Sequence, residues 1–152
     1  MDVDGTLTDG KIYMGNQGEV MKAFSIKDGQ GIVHLQSKYG VIPVIITGRE
    51  SDIVKNRCLE LGINECHQGI QNKVELIKTF EEKYPSESFS YIGDDLNDLS
   101  AMKYIKSKGG IIACPADAED SVKSTVDFIC KRNGGEGAVR DFIDYLINND
   151  FV

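Results

Sequence analysis

Asp2-Val3-Asp4-Gly5-Thr6-Leu7-Thr8 sets two carboxylates two residues apart, ahead of a glycine and two hydroxyls. In an extended segment residues i and i+2 point to one side, so Asp2 and Asp4 can converge on one ligand. Two carboxylates held together repel, and a shared cation or a shared proton relieves that repulsion. Gly5 permits a tight turn and close backbone approach. Three further stretches carry compatible chemistry: Thr47-Gly48-Arg49, Lys73, and Gly93-Asp94-Asp95-Leu96-Asn97-Asp98.

Together these groups could transfer a phosphoryl group. The acidic pairs could hold Mg²⁺, a hard ion that prefers carboxylates and retained waters. Asp2 could then attack phosphorus in line and form an aspartyl-phosphate. Asp4 would protonate the departing alkoxide and later activate water. Thr47 would hydrogen-bond a phosphoryl oxygen, and Lys73 would supply positive charge. Asp94 would hold the metal directly, while Asp95 and Asp98 would orient waters or Lys73. Each residue also has a plainer role open to it. Asp2 and Asp4 could form an acidic turn, Thr47 could end a strand, and Lys73 could be a solvated lysine. Asp95 and Asp98 could cap a helix, and Arg49 and Arg57 could pair with nearby acids. His34 and His67 stand alone and read as structural.

The order of elements gives the chemistry a place. Lys11–Met14 and Glu19–Phe24 flank Gly15-Asn16-Gln17-Gly18, which predicts a β-hairpin flap over about 11–24. Its apolar Ile12, Tyr13, Met14, Val20 and Phe24 suit a cover for an active site or a contact with another subunit. A helix follows, with Asp28 as a plausible N-cap and Gly40 just past its end. Val41–Ile46 is a continuous apolar run, as expected of a strand buried on both faces. A helix capped by Ser51, a strand at 63–67, a helix over 70–84 and a strand at 89–92 come next. After them alternate a helix from Leu99, a strand at 110–113, a helix at 117–123, a strand at 126–129 and a helix through Ile147. Lys73 stands in the first turn of its helix, where the dipole disfavours a cation, so it hints at an anionic neighbour. Strands alternating with helices predict an α/β fold: an open, mostly parallel sheet covered on both faces. Ligands in such folds sit beyond the carboxyl ends of the strands, where Asp2/Asp4, Thr47, Lys73 and Asp94 all fall.

The 152 residues predict one domain, 1–152, and the composition is that of an ordinary globule, 41% hydrophobic and 27% charged. A net charge of −7 argues against nucleic acid and anionic membrane as partners. The cysteines (Cys58, Cys66, Cys114, Cys130) lack CxxC spacing, which favours reduced thiols and a cytoplasmic location over zinc or disulfides. No apolar run reaches membrane-spanning length, and the sequence shows no signal peptide.

The motifs Asp2-Val3-Asp4-Gly5-Thr6, Thr47, Lys73 and Gly93-Asp94-Asp95, in that order, resemble those of the haloacid dehalogenase (HAD) superfamily of phosphohydrolases. Leu7-Thr8-Asp9-Gly10, Lys27-Asp28-Gly29-Gln30-Gly31, Gln68-Gly69 and Gly134-Gly135-Glu136-Gly137-Ala138-Val139-Arg140 extend the resemblance to a subfamily without a large cap, the 3-deoxy-D-manno-octulosonate 8-phosphate (KDO 8-phosphate) phosphatases. The resemblance implies a three-layer Rossmann-like fold and a Mg²⁺-dependent hydrolysis of an acidic sugar phosphate, KDO 8-phosphate first, in lipopolysaccharide biosynthesis. It also implies a homotetramer with the hairpins at subunit interfaces. Substrate contacts are implied at Thr47, Gly48, Arg49, Arg57, Lys73 and Asp28, and metal contacts at Asp2, Asp4 and Asp94. Relatives of this subfamily act on sialic-acid-type 9-phosphates or form phosphatase-like modules attached to acylneuraminate cytidylyltransferases, and these are the alternative readings. Arg49 resembles the octulosonate enzymes, since the nine-carbon-sugar phosphatases can carry glutamate there. Members have an apolar strand before the first aspartate, whereas Met1 alone precedes Asp2. The expectation is therefore a truncated first strand in the middle of the sheet.

A phosphoacceptor receiver domain uses similar residue types, but there threonine and lysine follow the acidic groups. Here Thr47 and Lys73 precede Asp94-Asp95. P-type ion pumps share the first motif but require membrane spans.

Overall fold

The computed structural model describes residues 1–85 and 87–152. Successive residues of each central strand enter opposite cores, so the apolar runs of the sequence are buried on both sides. Ile45 joins one core and Ile46 the other; Ile92 and Tyr91 divide likewise, as do Ala113 and its neighbours Ile112 and Cys114.

The elements, in chain order, are β1 (Tyr13–Gly15), β2 (Gly18–Met21), α1 (Ile26–Tyr39), β3 (Val44–Ile46), α2 (Asp52–Leu61), β4 (Glu65–His67), α3 (Lys73–Lys83) and β5 (Tyr91–Ile92). A 3-10 turn (Leu96–Asp98) then leads into α4 (Leu99–Ser107), followed by β6 (Ile112–Cys114), α5 (Asp120–Lys123), β7 (Phe128–Ile129) and α6 (Ala138–Asn148). Strands β1 and β2 pair antiparallel as the flap, β3 pairs parallel with β4, and β5, β6 and β7 form a parallel trio.

Met1 and Asp2 join the two parallel groups. The Met1 nitrogen donates to the Val44 carbonyl at 2.7 Å, and the Met1 carbonyl accepts from the Ile46 amide at 3.0 Å. On the other side the Asp2 amide donates to the Ile92 carbonyl at 3.1 Å. The spatial order is thus β4, β3, residues 1–2, β5, β6, β7. Residues 1–2 hold the central position expected of the first strand, with ladder bonds to both neighbours.

One core gathers Ile32 and Leu35 of α1, Val54 and Cys58 of α2, and Val139, Phe142, Ile143 and Leu146 of α6. The other gathers Ile77 and Phe80 of α3 with Ala101, Met102 and Ile105 of α4. This is a three-layer α/β fold, and no large cap stands among the described residues.

The expected elements are all present, with shorter strands. Strand β3 begins at Val44 because Pro43 has no amide for the ladder. Helix α3 begins at Lys73 because Asn72 caps it, accepting the Glu75 amide at 3.3 Å. The cap assigned to Asp28 is corrected: Ser25 caps α1, accepting from the Lys27 amide, and Asp28 lies inside the first turn.

Candidate active site

The Val3 carbonyl fixes the first loop, accepting the amides of Thr6, Leu7 and Thr8 at 3.2, 2.9 and 3.0 Å. This winds the chain tightly behind Asp2 and leaves Asp4 on the rim. Gly5 has φ +87°, and a Cβ there would sit 1.9 Å from Asp94 Oδ2. Glycine is therefore what lets the Asp94 carboxylate lie against the first loop. The floor beneath that loop comes from the glycine-rich segment: the Gly135 amide donates to the Thr6 carbonyl at 3.1 Å. A Cβ on Gly134 would fall 1.9 Å from the Gly5 carbonyl oxygen.

Lys73 enters from the start of α3 and is 3% exposed. Its Nζ donates to Asp2 Oδ1 at 2.8 Å, Asp98 Oδ1 at 2.7 Å and the Tyr91 hydroxyl at 3.2 Å. The Tyr91 hydroxyl donates to Asp98 Oδ1 at 2.8 Å. The anionic neighbours that an early helical lysine suggested are thus Asp2 and Asp98. Asp98 is fully buried, and its other oxygen accepts the Asp94 amide at 3.0 Å, which aims the Asp94 loop at Asp2. Thr6 Oγ1 donates to Asp94 Oδ1 at 3.0 Å.

Oxygens of Asp2, Asp94 and Asp98 lie within 4.8 Å of one another. Among the described residues Lys73 is the one side-chain ammonium bonded to this group, so charge is undercompensated. Burial still opposes the charge on Lys73, but the two carboxylates outweigh it and hold the ammonium above its ordinary pKa. Asp2 is pushed up to about 6 by burial and by Asp98, against the pull of Lys73. Burial, Asp2 and Asp98 push Asp94 up to about 7. A hard divalent cation between Asp2 and Asp94 would relieve this strain, and carboxylate oxygens suit Mg²⁺.

Asp4 belongs to a second network at the rim. Its Oδ1 accepts from Lys22, the residue after β2, whose side chain is 1% exposed. Lys22 Nζ also lies 3.0 Å from Glu19 Oε1, which accepts from Arg49 Nη2 at 3.2 Å. Ser51 Oγ donates to Glu19 Oε2 at 2.7 Å. Thr47 follows the end of β3, buried, with its amide on the His67 carbonyl at 3.0 Å and its own carbonyl accepting the Ile70 amide at 3.0 Å. Gly48 continues into Arg49 without tight contact, its nearest neighbour to a built Cβ being the Ile70 carbonyl at 3.8 Å.

Arg57 and Asp28 are not brought to either network, whereas the Asp95 amide reaches the inner one, donating to Asp98 Oδ2 at 3.4 Å. Arg57 pairs with Glu60 at 2.7 Å, lies over the Phe24 ring, and crosses α1 at Gly29. Asp28 is 1% exposed, and its Oδ1 accepts the Arg140 amide at 2.7 Å. It serves as a cap for α6, whose own N-cap is glycine. This tie steadies the glycine-rich segment and uses one Asp28 oxygen; Oδ2 is buried and has no hydrogen-bond partner among the described residues. Asp95 caps the 3-10 turn, accepting the Leu96 amide at 2.6 Å, as one of its plainer roles allowed.

Sequence reasoning missed Lys22, Glu19, Tyr91 and Thr6. The one available signal was Glu19 and Lys22, opposite charges three residues apart in a flap rich in apolar residues. Tyr91 read only as strand and Thr6 only as turn.

No family model matches the chain. Sequence relatives include the 3-deoxy-D-manno-octulosonate 8-phosphate phosphatase KdsC of Escherichia coli K12, 42% identical over 150 residues that cover 97% of this chain and 77% of the relative. Among solved structures, the 3-deoxy-D-manno-octulosonate 8-phosphate phosphatase of Moraxella catarrhalis, in complex with magnesium, phosphate and KDO, superposes with a TM-score of 0.89 at 36% identity, covering 99% of this chain and 86% of that one. The cobalt-bound deoxy-D-mannose-octulosonate 8-phosphate phosphatase of Haemophilus influenzae gives a TM-score of 0.89 at 33% identity, with 97% and 84% covered. Sequence, fold and the carboxylate–lysine cluster agree, and the chain belongs to the KDO 8-phosphate phosphatase (KdsC) family of the HAD superfamily.

Proposed function

We propose that this chain is a Mg²⁺-dependent phosphomonoesterase acting on KDO 8-phosphate, with residues 1–152 working as one phosphatase domain. The observation that carries the reading is the buried Asp2–Asp94–Asp98 group with Lys73 as its one ammonium, a site short of positive charge on the metal side. Asp2 and Asp94 would hold Mg²⁺ with the Asp4 segment beside them. When bound, the ion neutralises phosphoryl and carboxylate charge.

The residues divide the work. An Asp2 oxygen attacks phosphorus as the bond to the sugar oxygen breaks, and Asp4 gives that oxygen its proton. Asp4 then takes a proton from water, which attacks the aspartyl-phosphate and releases inorganic phosphate. Lys73 holds Asp2 in line and, with Thr47 and the Gly48 backbone, binds the phosphoryl oxygens. Asp98 orients Lys73, and Asp95 shapes the loop that carries Asp94. Arg49 receives the substrate carboxylate, a geometry suited to a guanidinium fork. Arg57 would contribute after leaving Glu60.

The assembly is a homotetramer with the flaps at subunit interfaces, supported by the exposed Ile12, Met14, Val20 and Met21 on β1, β2 and their flank. The buried thiols of Cys58, Cys114 and Cys130 support a reducing, cytoplasmic setting. Phosphate release from KDO 8-phosphate, a nine-carbon acidic sugar phosphate and neutral sugar phosphates, with and without Mg²⁺, tests the reading. Mg²⁺-dependent turnover with KDO 8-phosphate foremost is expected, and Asp2→Asn should abolish it. Robust turnover by that variant, once deamidation is excluded, would remove Asp2 as nucleophile.

A further inference from the structure

We propose that Glu19 and Lys22 couple recognition of the substrate's acid group to release of Asp4, and thereby set the preference for acidic over neutral sugar phosphates. This rests on the phosphatase reading above and on Arg49 as the carboxylate receiver.

Four charged groups form one chain at the rim: Asp4, Lys22, Glu19 and Arg49. Two are negative and two positive, so the chain is neutral as it stands. Glu19 occupies one arm of the Arg49 fork through Nη2, while Arg49 Nη1 is buried with no hydrogen-bond partner among the described residues. A guanidinium with one arm taken by an internal carboxylate and the other unused is set to receive a second carboxylate bidentately. That incoming group must displace Glu19.

The displaced Glu19 has one other cation within reach, Lys22, already 3.0 Å away. The chain now carries one extra negative charge, and Glu19 competes with Asp4 for the same ammonium. Asp4 is thereby freed from the flap. In the structure its carboxylate is fastened to Lys22 and stands outside the Asp2–Asp94–Asp98 oxygen group. A general acid must carry a proton and come within hydrogen-bond reach of the leaving oxygen, so Asp4 must leave Lys22 and take up a proton from solvent before it serves. The exchange itself changes no covalent bond; one ion pair replaces another. A neutral sugar phosphate lacks the group that displaces Glu19, so it leaves Asp4 clamped. Recognition at Arg49 therefore acts on kcat as well as on KM.

The exchange runs through a two-stranded flap, which can shift without breaking the central sheet. Ser51 Oγ keeps Glu19 Oε2 in place at 2.7 Å, so Oε1, which Arg49 Nη2 and Lys22 Nζ share at 3.2 and 3.0 Å, can lose the first and tighten on the second while staying at the rim.

The test compares kcat and KM for KDO 8-phosphate and for a neutral hexose 6-phosphate, with saturating Mg²⁺, in the intact chain and in Glu19→Gln and Lys22→Met. Glutamine keeps the volume and the Ser51 contact but loses the charge, so this variant carries the test even if Lys22→Met folds poorly. In Glu19→Gln, KM for KDO 8-phosphate should fall, because Arg49 no longer has an internal competitor. Its ratio of kcat values, acidic over neutral, should drop by about tenfold or more, because Lys22 stays on Asp4 with either substrate. In Lys22→Met the ratio should drop as well, through a higher kcat for the neutral ester. A wild-type kcat ratio in Glu19→Gln overturns the coupling, even if KM changes. Absence of Mg²⁺-dependent phosphate release by the unmodified chain would instead overturn the phosphatase reading on which the coupling stands.

Discussion

Two lysines each hold one member of the Asp2/Asp4 pair, and they do so from opposite kinds of structure. Lys73 grips Asp2 from inside the fold, with Tyr91 and Asp98 arriving from β5 and the 3-10 turn. Lys22 grips Asp4 from the flap, where its other partner, Glu19, sits on the same ribbon. The inner cluster has one ammonium for three carboxylates. The rim chain balances its charges. The inner set is thus built to need a further cation and to stay fixed, and the rim set is built to exchange partners.

The sharpest way to break this contrast is to remove each lysine in turn. Lys73→Met leaves Asp2 and Asp98 buried without their ammonium and should lower stability by about 3–5 kcal/mol. It should also lower kcat by about 10³-fold or more, since orientation of the nucleophile and charge at the phosphoryl group go together. Lys22→Met should lower stability by about 1–2 kcal/mol, because Asp4 and Glu19 keep access to water or other partners. Urea unfolding of both variants measures the difference. Equal losses would show that the flap is as much a part of the core as α3.

A second test uses pH. Asp2 and Asp94 titrate higher folded, at about 6 and about 7, than the ordinary 3.8, so the metal-free folded chain holds protons that the unfolded chain has released. Their contribution to stability is present below about 3.8, declines as pH rises toward 7, and is flat above. Glu19 has the opposite sign. Burial opposes its charge, but Ser51, Lys22 and Arg49 outweigh that and hold it below the ordinary 4.5. Its contribution is full above that value and is lost as pH falls through its lowered pKa. Mg²⁺ should therefore raise the melting temperature of the chelator-treated protein more at pH 8 than at pH 5. A gain independent of pH would contradict the undercompensated inner cluster. The smallest effect is expected from Tyr91→Phe, which removes one hydroxyl from Lys73 and Asp98. A loss of about 1 kcal/mol, with kcat reduced a few-fold, would place Tyr91 as a support for Lys73.

These contrasts also show what a sequence can display. The strand-end residues Asp2, Thr47, Lys73 and Asp94 were legible because an alternating α/β pattern places strand ends together without knowledge of any distance. Lys73 even announced its partners by standing where the helix dipole disfavours it. Lys22 and Glu19 were hidden because this part of the flap inverts the usual pattern: these two charged side chains face inward, while Val20 and Met21 face out. One contact of Asp28 was hidden for a related reason. Its place after Lys27 and before two glycines suits a ligand loop, and nothing local announces its bond to the Arg140 amide, 112 residues away. Strand lengths were overestimated wherever apolar residues packed beside the ladder without joining it, as before Pro43.

The glycine-rich segment has a consequence for how the protein comes into being. Asp2, Asp4, Thr47, Lys73, Asp94 and Asp98 have all been synthesised once the chain reaches Asp98, yet the floor that seats Gly5 is supplied by Gly134 and Gly135. Its anchor, the Arg140 amide on Asp28, comes later still. Contacts of such long range form slowly, since loop closure precedes their reward. A nascent chain halted before residue 133 would therefore hold every reacting group without the surface that aligns the first of them. The Asp2–Thr8 loop is made well before the segment that seats it.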